Sequence, residues 1–240
     1  MPSQKDQNFE GRIRVVQKYL RSDIRYNRDV IPRPFFLEFT GSPSAGKTTM
    51  ITELDKFLRR FGLRVWRPQE GAEVIRHIER TTPVYNIRTG LYALNILLDQ
   101  SVGNLYDVVI FDRCIFDAYS WMMYWQEKGK LSEEEARIFQ QFFISGFWRD
   151  YLDAVFIVIC DPEKAMEREL RISLTKKTGE TSNPKTIRTL VDRYKRVYAE
   201  LSPSCRQLHL LDTTDFGEQE MIEKITGQVL NILEKKSKSP

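Results

Sequence analysis

Gly41, Gly46, Lys47 and Thr48 stand in the stretch GSPSAGKTT at the spacing G-x-x-x-x-G-K-[ST]. A loop of this kind wraps its backbone N–H groups around a phosphate. Its lysine reaches the β- and γ-phosphates, and its hydroxyl ligates Mg²⁺. The chemistry needs a strand before the loop and a helix after it, so that the helix N-terminus adds partial positive charge. Both are legible. Phe35-Phe36-Leu37-Glu38-Phe39 reads as a short buried strand, and Met50, Ile51, Leu54, Phe57, Leu58 and Phe61 recur at helical spacing. Gly41, Ser42, Pro43, Ser44, Ala45, Gly46, Lys47, Thr48 and Thr49 are therefore expected to hold a nucleoside triphosphate, ATP, with Thr48 on the Mg²⁺.

Further candidates stand where later strands should end. Asp112 follows the apolar run Val108 to Phe111 and could orient Mg²⁺ through a water, with Arg113 aimed at an anion. Arg67-Pro68-Gln69-Glu70-Gly71-Ala72-Glu73 ends the second strand. Glu70 is the expected base or acceptor of a hydrogen bond from the phosphoryl acceptor's hydroxyl, with Glu73 as its rival and Arg67 nearby. After the fourth strand, Arg168 and Arg171 lead into a loop with Lys176, Lys177 and Gly179, a segment (168–184) suited to closing over phosphates as a lid. Lys47, Mg²⁺, Arg113, Arg168 and Arg171 would supply the charge that phosphoryl transfer requires. Phe116, Tyr119 and Trp121 are candidates for an aromatic acceptor pocket.

These residues need a scaffold that gathers strand ends in one crevice. Strands are expected at 35–39, 63–67, 107–112, 154–160 and 207–212. "DVVIFD" and "AVFIVIC" are apolar throughout, as strands buried on both faces should be. Helices are expected at 91–105, 115–125, 132–148 (Ser132 and Glu135 forming a capping box), after Asp161-Pro162, after Asn183-Pro184 and at 221–233. Strands alternating with helices predict an α/β P-loop NTPase sandwich of three layers, a five-stranded parallel sheet with helices on both faces. Ligands then collect at the carboxyl ends of the strands. An amphipathic helix over 9–26, with Ile13, Val16, Tyr19, Leu20 and Ile24 on one face and six arginines and lysines from Arg12 to Arg28, would form an N-terminal extension (1–33). The kinase domain would run over 34–234, followed by a flexible tail at 235–240.

The 240 residues, 41% hydrophobic, suit one such domain, and a net charge of +4 suits an anionic substrate without marking nucleic acid. Cys114, Cys160 and Cys205 lack metal spacing and read as reduced thiols of a cytoplasmic protein. No apolar run approaches a membrane span. His77 and His209 have no partners at catalytic spacing.

The set resembles the P-loop nucleoside and nucleotide kinases, especially the thymidylate kinase and deoxynucleoside kinase group, over residues 35–233. The resemblance rests on "GSPSAGKTT", "RPQEGAEVIRHI", "VVIFDR" and "DPEKAMEREL". It implies that Asp112 and Arg113 contact metal and acceptor, that Arg168 and Arg171 close on ATP, and that Glu70 is the matching glutamate. "QEGAEVI" is also similar to the corresponding turn of nicotinamide riboside kinases, so the acceptor stays open between nucleosides and nucleoside monophosphates. A homodimer is a further expectation. Two alternatives remain: a polynucleotide 5′-kinase using the basic N-terminal helix, and a non-catalytic ATP-binding module. A switch GTPase is excluded, since neither Asn-Lys-x-Asp nor Asp-x-x-Gly after the third strand occurs.

Overall fold

The computed structural model describes residues 4–20, 33–103, 105–172 and 183–238. Five strands, β1 (Phe35–Gly41), β2 (Val65–Trp66), β3 (Val108–Asp112), β4 (Leu152–Ile159) and β5 (Leu208–Asp212), form one sheet in the order β2-β3-β1-β4-β5. Every pairing is parallel, so the strands' carboxyl ends share one edge. β1 and β4 are buried along their whole length, which is why their sequences show no polar alternation.

On one side, α2 (Lys47–Arg60) packs on β1 and β3. Against it lies α10 (Glu218–Lys238), which in turn contacts α1 (Gln4–Leu20). On the other side, α5 (Ile115–Glu127) and α9 (Pro184–Leu201) pack on β1. α4 (Pro83–Ser101) and α6 (Glu133–Phe143) lie against α5. Short helices α3 (Gly71–Val74) and α7 (Gly146–Arg149) and the longer α8 (Pro162–Ile172) complete the described elements.

Local signals account for several boundaries. Ser132 and Glu135 form the expected reciprocal capping box. Asn183 accepts from Thr186 N, and Pro184 follows at the first helical position. Three expectations are corrected. β2 has two residues rather than five, because it is an edge strand whose flank is taken by Asp107, accepting from Arg64 N at 2.7 Å, and Pro68 follows closely. α4 starts at Pro83, well before 91, and ends at Ser101. The expected helix 132–148 breaks at Ile144-Ser145, where Gly146 follows and the Trp148 indole N–H donates to Phe143 O at 3.0 Å.

In the N-terminal helix α1, Ile13 and Val16 are fully buried in the core, and Arg12 donates to Glu234 at 2.7 Å and to Asn231 on α10. Residues 21–26 of its expected span, and 173–182 of the expected lid including Lys176, Lys177 and Gly179, lie outside the described residues.

Candidate active site

The turn from β1 to α2 has the geometry its glycines predict. Gly41 adopts φ +132°, and a Cβ there would lie 1.8 Å from Val158 O, so only glycine fits beside β4. Gly46 has φ +93° and opens α2 without a side-chain cap, leaving the helix's first N–H groups for a ligand. Lys47 is 7% exposed, with its Nζ 2.7 Å from Ser42 O and 3.2 Å from Gly41 O. The buried Ser42 Oγ has no hydrogen-bond partner among the described residues. Ser44, at φ 54°, donates to Glu169 of α8. The loop is thus a cradle with an unsatisfied hydroxyl, a cation held on its own carbonyls and an uncapped helix end, which suits a polyphosphate.

Two cavities flank it. The larger, about 1160 Å³, is lined by Ser44, Gly46, Lys47, Thr48 and Thr49 together with Arg168 and Arg171 of α8 and the 214–217 loop after β5. The smaller, about 210 Å³, is lined by Gly41 and Pro43 of the loop, Glu70, Arg80 and Tyr85, Asn86 and Gly90 of α4, Arg113, Cys114, Asp117 and Trp121, and Tyr194 of α9. Lys47 lines the larger, and its charge acts on Glu70 of the smaller.

Burial pushes the Lys47 ammonium down to about 8. Arg113 adds to this, while Asp112, Asp117 and Glu70 oppose it. A depressed lysine favours folding more as pH rises from about 8 towards 10.5, because the unfolded chain then binds more protons. For binding the sign is opposite. A bound triphosphate would restore the charge, so its binding above about pH 8 would take up a proton. Nucleotide affinity should fall there by up to about tenfold per pH unit. Calorimetry at about pH 9 in buffers of differing protonation enthalpy should register that uptake, and Lys47→Arg should abolish it, since arginine stays charged. Affinity independent of pH between about 7.5 and 9.5 would remove this role for Lys47.

In the smaller cavity Arg113 Nε lies 3.1 Å from Glu70 Oε1, and Nη1 lies 2.7 Å from Asp117 Oδ1. Burial works against its charge, but Asp117, Tyr194, Glu70 and Asp112 hold it well above the usual arginine value. Asp117 Oδ1 also accepts from Thr40 Oγ1 at 2.6 Å and from Tyr194 OH at 2.9 Å. Burial raises the Glu70 carboxyl above the ordinary range, with Arg113 opposing. Glu73 is exposed and does not line the cavity, which separates the two glutamates. Asp112 ends β3, in register with Phe39 of β1.

The structure brings together Lys47, Asp112, Arg113 and Glu70, and corrects three placements. Phe116 is fully buried in the core, because the first turn of α5 faces the sheet; Trp121 lines the cavity instead, and Tyr119 donates to Glu200 at 2.8 Å. Arg67 turns back to α2, 3.4 Å from Thr52 Oγ1 and 3.8 Å from Asp55. Arg168 lines the larger cavity, but its guanidinium donates to Cys160 Sγ, to Thr213 Oγ1 and O, and to Phe216 O. Thr213 Oγ1 in turn lies 2.9 Å from Ala45 O, so Arg168 braces the loop after β5 against the P-loop. Arg171 is exposed at the cavity rim.

Sequence reasoning missed Asp117, Tyr194 and Asn86. Asp117 lies four residues after Arg113, one helical turn away, and that spacing was the available signal. Asn86 is 6% exposed. Trp125 Nε1, which only donates, holds its Oδ1 at 2.9 Å. The amide is therefore oriented, and its NH₂ has no partner among the described residues.

No family model matches the sequence, and no curated protein matches it. Solved structures do match. One is a deoxyadenosine kinase from M. mycoides with bound dCTP, at TM-score 0.53 and 15% identity, covering 82% of this chain and 100% of that one. The chain shares the fold of that structure, a P-loop α/β sandwich on a five-stranded parallel sheet. At this identity the likeness extends to the fold. Within such a fold, the two cavities at the strands' carboxyl ends stand where ligands of open parallel sheets collect. No helix among the described residues is long and apolar enough to cross a membrane.

Proposed function

We propose that this chain transfers the γ-phosphoryl group of ATP to the hydroxyl of a nucleoside. The carrying observation is the Glu70–Arg113 pair at 3.1 Å in a cavity sharing the P-loop with the larger one. In this reading the loop 41–49 and Lys47 hold the triphosphate, and Arg171 approaches it from α8. Glu70 accepts the proton of the attacking hydroxyl, which Arg113 orients.

Thr48 in the larger cavity and Asp112 at the end of β3 would hold Mg²⁺. The ion's other ligands would be phosphate oxygens and water. The ion would neutralise charge on the β- and γ-phosphates. The proximity of Asp112 to the lysine supports its assignment, since its charge acts on Lys47.

A nucleoside is favoured over a nucleoside monophosphate by charge. The acceptor cavity carries two cations, Arg80 and Arg113, and two carboxylates, Glu70 and Asp117. Among the described lining residues, no surplus positive charge is left for a phosphate. Trp121 and Tyr85 offer aromatic walls for a base, and Asn86 offers an oriented N–H for a base acceptor atom. Three buried free cysteines support a reducing compartment such as the cytoplasm.

The test is transfer from radiolabelled ATP to a panel of nucleosides, nucleoside monophosphates and a 5′-hydroxyl oligonucleotide, with and without Mg²⁺. Nucleosides should be the best acceptors, and only with the metal. Exclusive labelling of the oligonucleotide, or binding of ATP with no transfer to any acceptor, would overturn the reading.

A further inference from the structure

Glu38 is a carboxylate in the middle of the central strand, fully buried, and none of its described hydrogen bonds comes from a cation. It accepts instead from three backbone N–H groups of the next strand's turn: Cys114 at 2.9 Å, Phe116 at 3.2 Å and Asp117 at 2.9 Å. These are orphan donors of the α5 N-terminus. Cys114, the residue at the cap position, makes no side-chain cap bond. Glu38 therefore caps α5 from another strand.

The turn it caps is strained. Arg113 sits at φ +68°, a left-handed conformation unfavourable for a side chain of its kind. Three successive residues of β1 restrain the turn. Glu38 holds the N–H groups, Phe39 O accepts from Arg113 N at 2.8 Å, and Thr40 Oγ1 donates to Asp117 at 2.6 Å. The strained turn is what delivers the Arg113 guanidinium between Glu70 and Asp117.

We propose that Glu38 is a positioning residue for the phosphoryl acceptor: by capping α5 across strands it fixes Arg113 and Asp117 in the acceptor cavity. The inference rests on the acceptor reading above and deepens it. Glu38 lines neither cavity, so it acts only through the turn. A long side chain is required, because it must span from β1 to the residues beyond the end of β3, and two oxygens are required for three donors. Burial pushes its carboxyl up to about 8, against the pull of the three N–H bonds, so an uncharged isostere is a mild replacement.

The experiment compares Glu38→Gln and Glu38→Ala with the unchanged chain. Glu38→Ala should lower acceptor kcat/KM on the order of 100-fold, as a misplaced orienting group does. Affinity for an unreactive ATP analogue should stay within about twofold. Glu38→Gln keeps an oxygen for Cys114 and Asp117 and should lose less than about tenfold. Amide exchange measured by NMR should quicken at Cys114, Phe116 and Asp117 in the alanine variant, and at Phe116 in the glutamine variant, which decides the matter if the alanine variant does not fold. Acceptor kinetics and amide exchange at unchanged levels overturn the inference; so does equal damage to nucleotide and acceptor binding, which marks a purely structural role. If the unchanged chain binds ATP but phosphorylates no nucleoside, the acceptor reading fails on its own. The capping inference is then judged by exchange alone, supported by quickened amides and overturned by unchanged ones.

Discussion

Lys47→Ala should abolish phosphoryl transfer and leave the sheet intact. Lys47 is the cation in the P-loop cradle, with its Nζ on Gly41 O and Ser42 O and the larger cavity beside it. In the proposed reaction a triphosphate would replace those carbonyls with its own oxygens, and the gain would grow as charge spreads over the transferring group. Removing a fixed cation at that point should lower kcat/KM by on the order of 1000-fold or more. Stability should not fall in proportion. Moving the ammonium from 10.5 to about 8 corresponds to about 3 kcal/mol of charge-burial cost, which the alanine removes and which offsets the lost packing of the side-chain stem. Thermal melting and circular dichroism, run beside the transfer assay, check both halves. Normal turnover with tight nucleotide binding would sink the P-loop assignment.

Glu70→Gln and Arg113→Ala should damage acceptor chemistry and spare the nucleotide. Glu70 and Arg113 line the smaller cavity only, whereas the larger cavity, proposed for the nucleotide, is bounded by α8 and the loop after β5. Loss of a general base costs on the order of 100- to 10,000-fold in kcat, and the glutamine keeps the shape. Because burial raises the Glu70 carboxyl, the acid limb of kcat/KM should lie above the ordinary carboxylate range, with activity rising as Glu70 ionises. Glu70→Gln should remove that limb. Arg113→Ala leaves Glu70 and Asp117 facing one cavity without the cation between them, so its acceptor KM should rise steeply. Steady-state kinetics across pH, with calorimetric binding of an unreactive ATP analogue, separate these effects. Loss of analogue binding with unchanged acceptor KM would reassign both residues.

What the sequence by itself determined is what depends on neighbours along the chain. The turn geometry of Gly41 through Thr49 is legible because the loop, the strand before it and the helix after it are one continuous piece. The capping box at Ser132 and the Asn183-Pro184 helix start are local for the same reason. The parallel sheet follows from alternating apolar strands and helices, and Asp112, Arg113 and Glu70 follow from the rule that ligands gather at strand ends. Which way a side chain points, and what meets it, was decided by tertiary structure. Phe116 and Trp121 belong to one helix, and only the docking of α5 on β1 sends the first into the core and the second into the cavity. Arg168 sits at a lid-like position in sequence, yet α8 carries it against Thr213 and Phe216, some 45 residues away. Asp117 meets Tyr194 across 77 positions, and Glu38 meets the α5 N-terminus across 76 to 79. A glutamate in an apolar strand carries no local mark of its partners. Burial makes its three hydrogen bonds obligatory, and only the adjacency of β1 and β3 supplies them.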